Sequence, residues 1–447
     1  MARLTTRIGV GTLGLLAGLG APRLVAQSWA LPASDPVSIA RSGTGVAYGN
    51  SLEAAGLNPA LLATLRDGNS AYLALGLEME AAQTTLQSNQ QTYYSSDRSR
   101  SLPAMGAAWR LSPDLVLGLK LDEPFLRHSV MPLQYTGRFA GQSLDLNTHR
   151  LEGQLGLAVS PNFAVGASLG VTRVQYSWDN MVRTLVANPN PGAASPILGQ
   201  VESDLHQEAT KIAPSYSFGF RWAPNSRWTL GGSYVGAIRT TMPLSASYGP
   251  TAPQYFFLTG YPRSFASPSG QFQAGSGGLT LPGKATLGVR QRVNQLFTWE
   301  LDVHYIQGAQ TQLPGYPSLT LASGTTVSGA GQGTTFRNGV GGSVMGELNL
   351  GKRWVVRLGA EMEPALRDDS QVDPLLGGAK SSGFSTGFGY KCLGGEVNAG
   401  YQYRQSQDVQ NNNLDGAWPV SGYTTNPTQT RVEGMGHLLS IGYKRSF

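Results

Sequence analysis

Long apolar runs are missing from this chain. Beyond the first twenty residues nothing approaches the roughly 18 consecutive apolar residues that a membrane-crossing helix needs. One cysteine, Cys392, among 447 residues excludes an internal disulfide framework and any multi-thiolate metal centre. The five histidines, His128, His149, His206, His304 and His437, form no HExxH pair, and no GxSxG elbow accompanies them. His304 beside Glu300 and Asp302 is the one imaginable acid–base group, and it has no evident serine partner. Charged residues make up only 13%, and the formal net charge of +6 is mild. Such a balance does not point to nucleic acid. No metal, cofactor or enzymatic activity is expected.

What is present is alternation. Leu73, Leu75, Leu77 and Met79 share one parity, while Tyr72, Gly76, Glu78 and Glu80 share the other. A helix would scatter these two sets, whereas a strand separates them. Such segments number about fourteen, from near Ser70–Gln83 to His437–Phe447. The 58 glycines, 18 tyrosines and 8 tryptophans suit close-packed strands with interfacial aromatics. A mean hydropathy of -0.16 is no obstacle, because only alternate residues of such strands face lipid.

The connections sort by length. Tight turns at Ser112–Asp114, Ser160–Asn162, Ala223–Arg227, Val293–Gln295, Gly351–Arg353 and Leu393–Gly395 alternate with long connections. The latter are expected near 84–101, 122–148, 177–210, 240–280, 306–335, 364–382 and 405–435. Short turns at one end and long loops at the other predict an all-β fold, a transmembrane antiparallel β-barrel of about 14 strands. Closure is compelled, since an open sheet edge in hydrocarbon leaves backbone groups unpaired at several kcal/mol each. Charges such as Lys120, Lys284, Arg290, Arg292, Glu300, Asp302, Arg357 and Glu361 fall on the parity opposite the lipid-facing side chains. They are expected to line the lumen, where a cation avoids the roughly 2–4 kcal/mol cost of facing mid-bilayer lipid.

The N-terminus reads as a secretory signal over residues 1–26: basic Arg3 and Arg7, an apolar core, and Leu24-Val25-Ala26 before the cleavage point. Its removal halves the positive excess. The stretch from Ser38 to Asp67 then departs from alternation. Ser42-Gly43-Thr44-Gly45 is a turn region, and Asn58-Pro59-Ala60-Leu61 has an N-cap followed by proline at the first helical position. Set between a signal and a barrel pattern, these residues resemble the FadL/TodX-type family of outer-membrane transporters for long-chain fatty acids and other hydrophobic compounds. The resemblance implies that residues 27–68 form a hatch inside the lumen of a barrel spanning 69–447. Ser42, Gly43, Gly45, Asn58, Pro59, Ala60 and Leu61 carry the hatch motif. The last strand, ending on Phe447, looks like the signal read by the barrel assembly machinery, and a monomer among outer-membrane lipids is expected.

What the resemblance implies for function is passive uptake of a fatty acid or hydrocarbon, captured by extracellular loops and released after a hatch shift. Phe256, Phe257, Leu258, Tyr261 and Trp178 are the candidate apolar contacts in the loops, since exposed loops seldom keep so many aromatics without a packing or binding reason. Lys284, Arg290, Arg292 and Arg357 are the candidate partners of a carboxylate. Family members carry a kink in the third strand that opens the wall sideways, and Gly118 and Pro124 are the candidates for it here. The alternative function is a barrel of the same family acting as a scaffold or shuttle for secreted proteins.

Overall fold

In a computed structural model, residues 34–447 are described except 50, 66–68, 87–91, 96–98, 134, 136–137, 139–140, 188–196, 251–269, 315–317, 321–325, 329–334, 373 and 412–429. The expected signal segment and the aromatic loop residues Phe256, Phe257, Leu258 and Tyr261 lie outside the described residues. Fourteen antiparallel strands close into a barrel. The first seven are β1 (Ser70–Leu86), β2 (Arg100–Arg110), β3 (Leu115–Asp122, resuming at Leu126–Val130), β4 (Ser143–Ser160), β5 (Phe163–Ala187), β6 (Ile197–Trp222) and β7 (Trp228–Val235, resuming at Ile238–Pro250). The rest are β8 (Gly270–Leu281, resuming at Lys284–Arg292), β9 (Phe297–Ile306), β10 (Gly339–Leu350), β11 (Trp354–Glu363), β12 (Ser381–Cys392), β13 (Gly395–Ser406) and β14 (Thr430–Ser446). Closure runs through β1 and β14, paired without interruption from Ser70↔Ser446 to Leu86↔Thr430.

The alternation in sequence becomes two surfaces. Leu73, Leu169 and Leu287 are 62%, 72% and 64% exposed on the outside, an apolar band that only a lipid solvent makes favourable. On the inside Glu300, Asp302, Glu347 and Arg357 are almost wholly buried. Side-chain oxygens cap the short turns. Asn225 Oδ1 accepts from the Arg227 and Trp228 N–H groups, each at 2.9 Å. Asn294 Oδ1 does the same for Leu296 and Phe297 at 2.9 and 2.7 Å. At the tightest hairpin, Leu393 and Gly394 take φ of 50° and 73°, the left-handed region that glycine enters without steric cost.

Two differences from the sequence-based expectation stand out. The hairpin β5–β6 continues far into what alternation marks as a long loop, pairing from Phe163↔Trp222 to Ala187↔Ile197. Hydrophobic periodicity fades there because a ladder standing clear of the lipid has no apolar outer face to mark it. The other difference is that, among the described residues, two strands besides the third are broken. β7 and β8 break at the same height, at 236–237 and 282–283, and β3 breaks at 123–125.

Inside the barrel lies the N-terminal segment, residues 34–65, as three short helical pieces: Pro36–Ile39, Ala54–Gly56 and Pro59–Thr64. Asp35 caps the first, accepting from Ser38 N at 2.8 Å. Asn58 caps the last, accepting from Ala60 N at 3.1 Å. Ile39, Ala55, Ala60, Leu61 and Leu62 are fully buried. Above the segment, towards the long loops, a second apolar cluster joins Leu144, Tyr176, Trp178, Met242 and Leu281 of the wall to Tyr135 and Leu376 of the connections.

Candidate functional site

The wall grips the N-terminal segment at three consecutive backbone groups. Gly45 and Val46 donate to Asp302 Oδ2 at 2.8 and 3.2 Å, and Ala47 donates to Glu300 Oε1 at 2.7 Å. Those β9 carboxylates, which sequence reasoning could place only in the lumen, thus satisfy amides of a segment too irregular to pair them itself. Ser42 and Gly43 take φ of 51° and 70°, and the turn they make brings Ser42 Oγ within 2.9 Å of Ser385 Oγ. Thr44 Oγ1 donates to Ser343 Oγ at 2.7 Å. Asn58 is entirely buried. Besides its cap it donates from Nδ2 to Val46 O at 2.7 Å and to Phe220 O at 2.9 Å, so both ends of its amide join the segment to itself and to β6. Pro59, Ala60 and Leu61 lie buried beside it, against β4, β5 and β6.

Contact this close needs a wall without side chains at the points of touch. A methyl group placed on Gly166 would overlap the Ala60 nitrogen, and one on Gly219 would overlap Asn58 Oδ1. At Gly156 it would come within 2.7 Å of Leu62 Cβ. Gly118 belongs to this set too. Its ladder is continuous on both sides, and it faces Leu62 across 2.8 Å to the methyl position. The break in β3 lies further on, at Glu123-Pro124-Phe125. The lumen parity of these glycines was a readable signal for a close-lying segment.

At the break the β2–β3 ladder ends with Met105↔Leu121. The upper part of β2, Arg100–Ala104, keeps only β1 as a partner, and Leu126–Val130 keeps only β4. Pro124 has no N–H to offer a ladder. Thr148 Oγ1 holds the neighbouring residue, accepting from Phe125 N at 2.9 Å and donating to Phe125 O at 2.7 Å. The wall is therefore unpaired between β2 and upper β3.

A lumen cavity of about 130 Å³ reaches this break. Glu123, Pro124 and Phe125 line one side, Gly43, Val46 and Leu57 of the N-terminal segment the floor, and Val235, Pro282 and Ile306 the far side. Each of its lysines and its arginine is held by a carboxylate. Arg150 donates to both oxygens of Asp122 at 2.9 and 2.8 Å, and Lys120 Nζ is 2.6 Å from the same carboxylate. His304 Nε2 lies 2.9 Å from Glu363, whose other oxygen is 3.9 Å from Lys284 Nζ. His304 therefore sits within a network of charged side chains.

The other candidate cations lie elsewhere. Arg357 is buried beneath the segment and bonded to Glu347 at 3.0 Å, Asn398 at 2.7 Å and Glu396 at 3.3 Å. Arg290 lies under Tyr48, 4.1 Å from its ring centre, and with Arg292 lines a separate cavity at the short-turn end. Trp178 is buried in the upper apolar cluster. Sequence reasoning missed Arg41, Tyr48 and Glu347. Their meeting spans about 300 residues of chain, and no local spacing could have announced it.

The family model for outer membrane transport proteins (OMPP1/FadL/TodX) matches residues 31–447. No curated protein sequence matches. Among solved structures, a FadL homologue from Pseudomonas aeruginosa aligns with a TM-score of 0.73 at 16% identity, covering 94% of this chain and 100% of the other. The toluene transporter TodX from P. putida aligns at 0.65 and 13% identity, covering 92% and 98%. The toluene transporter TbuX from Ralstonia pickettii aligns at 0.62 and 12%, also covering 92% and 98%. At such identities the likeness is one of fold.

Proposed function

The chain belongs to the OMPP1/FadL/TodX family of outer membrane transport proteins, and from that premise we propose that it passes small hydrophobic molecules through the lumen cavity and out sideways at the β3 break. It is an outer-membrane β-barrel and a transport protein, not an enzyme. The observation that carries the proposed route is the meeting of the cavity with Glu123-Pro124-Phe125, where the wall lacks a ladder. A molecule leaving there enters the bilayer without crossing water.

The N-terminal segment acts as the hatch in this reading, because it fills the floor of the cavity and is tied to the wall on several sides. The apolar cluster around Trp178 and Tyr135 closes the lumen above the cavity with hydrophobic side chains, and an entering hydrophobe passes between them. The ligand class follows from size and charge. A cavity of about 150 Å³ in another protein takes benzene, so about 130 Å³ holds one aromatic ring or a short length of chain. Lys120, Arg150 and Lys284 already face carboxylates, so an uncharged hydrocarbon suits the cavity better than a fatty-acid carboxylate. Passage is passive, and larger ligands require the hatch to shift.

Uptake of a radiolabelled monoaromatic hydrocarbon by cells with and without the protein tests this reading. Thr286 lines the cavity, and Thr286→Trp is expected to cut the protein-dependent uptake about ten-fold while the barrel still folds. Equal uptake by cells lacking the protein, or by the tryptophan variant, ends the proposal.

A further inference from the structure

Below the N-terminal segment, at the short-turn end, a cavity of about 620 Å³ opens between Tyr48, Gly49 and the wall. Three arginines line it: Arg221 from β6, and Arg290 and Arg292 from β8. The buried Nε atoms of Arg221 and Arg290 have no hydrogen-bond partner. Among the described residues none of the three guanidinium groups makes an ion pair. The two nearest acids are held by other groups through at least one oxygen each. Glu347, on the rim of the same cavity, accepts from Arg41, Arg357 and Tyr48. Glu300 stands opposite Arg290 in the β8–β9 ladder, turns Oε1 to the Ala47 amide and leaves Oε2 without a hydrogen-bond partner, so it offsets part of the Arg290 charge without bonding it.

Three like charges converging on one cavity repel each other, and buried guanidinium donors without acceptors are costly. An anion removes both penalties at once. The planar guanidinium fork matches the two oxygens of a carboxylate or phosphate. We propose that Arg221, Arg290 and Arg292 form an anion site at the periplasmic mouth, beneath the hatch, which takes a single carboxylate or phosphate group. The site touches the hatch directly. The Arg221 guanidinium lies against Gly49, and Arg290 stacks on Tyr48. An anion that draws Arg290 towards itself competes with that stacking, so occupancy loosens the hatch from below. This site is separate from the lumen route and does not depend on it.

The test uses the full-length protein in a zwitterionic detergent, titrated calorimetrically with inorganic phosphate, with decanoate, and with decanol as the uncharged control. Saturable binding of phosphate, decanoate or both is expected. Competition between the two anions identifies a site for the free group, and binding of decanoate alone identifies one for an amphiphile headgroup. Affinity should fall about ten-fold or more in the double variant R221Q/R290Q, through loss of charge-assisted hydrogen bonds. R221K/R290K should recover part of it, and decanol should respond to neither change. Heat-modifiable migration on gels verifies that each variant forms a barrel. Thr286→Trp, which fills the lumen cavity, should leave anion binding intact and so separates this site from the hydrocarbon route. Absence of saturable binding by both anions, or equal binding by wild type and R221Q/R290Q, overturns the assignment.

Discussion

Arg41 and Glu347 meet inside the barrel, Nη2 to Oε2 at 2.8 Å, with both side chains almost fully shielded. Glu347 also receives Arg357 at 3.0 Å and the Tyr48 hydroxyl at 2.6 Å, so one carboxylate joins two wall strands to two points of the N-terminal segment. The Arg41 guanidinium carbon stacks 3.6 Å from the Tyr48 ring centre.

Removing that carboxylate should therefore do more than break one bond. Glu347→Ala leaves Arg41 and Arg357 buried without their shared partner, a defect of the kind that costs about 3–5 kcal/mol. The expected outcome is a hatch that leaves its seat before the barrel unfolds. Single-channel recordings should show frequent large openings in Glu347→Ala that are rare in wild type. Identical conductance traces would contradict this.

The glycine seat makes a steric prediction. Gly166→Ala or Gly219→Ala puts a methyl group where Ala60 N or Asn58 Oδ1 now lies. Neither neighbour can withdraw without moving the capped turn. Both variants should show faster protease cleavage within residues 34–65 than wild type, with the barrel itself still resistant. Gly351→Ala, whose added methyl meets nothing, controls for general damage but carries its own strain at φ 71°.

Acid should release one of the hatch ties. Burial opposes ionisation of Glu53, yet the Lys444 ammonium at 3.3 Å and its own backbone N–H hold its pKa below the ordinary carboxylate value. A depressed carboxylate stabilises the docked state above the ordinary carboxylate range and loses that contribution as pH falls through the lowered value. Asp35 acts in the opposite sense, because burial and then the charge of Glu53 push its pKa up. Protease sensitivity of the hatch, followed from neutral to acid pH, should rise more in wild type than in Glu53→Gln. Parallel curves for the two proteins would refute the assignment.

Trp178 offers a check on the upper cluster. It is 4% exposed and packs over Gly141, where a methyl group would overlap its ring. Trp178→Ala should cost about 3–5 kcal/mol if that cluster is a packed core. Hydrocarbon uptake should fall with it in the proposed route, and thermal denaturation together with the uptake assay separates the two effects.

Much of the barrel was legible because lipid enforces period two. Leu73, Leu75 and Leu77 could face only outward, and Glu300 and Asp302 only inward. The hatch motif was legible at Asn58-Pro59 through capping chemistry. Alternation could not reveal the partners of Glu347 or the emptiness around Arg221 and Arg290. These depend on which strands stand opposite one another in a closed ring. Nor could it locate the β3 break at Glu123–Phe125 and not at Gly118, since glycine in a strand marks either a bend or a close neighbour.

Local residue chemistry thus determined that the chain forms a closed cylinder with a polar lumen, because solvent acts on each side chain where it stands. Only the tertiary structure decided which inward charges neutralise each other, which grip the N-terminal segment and which are left facing a cavity. Closing the ring sets distances between residues hundreds of positions apart, and electrostatic pairing follows those distances, whatever the order of the chain.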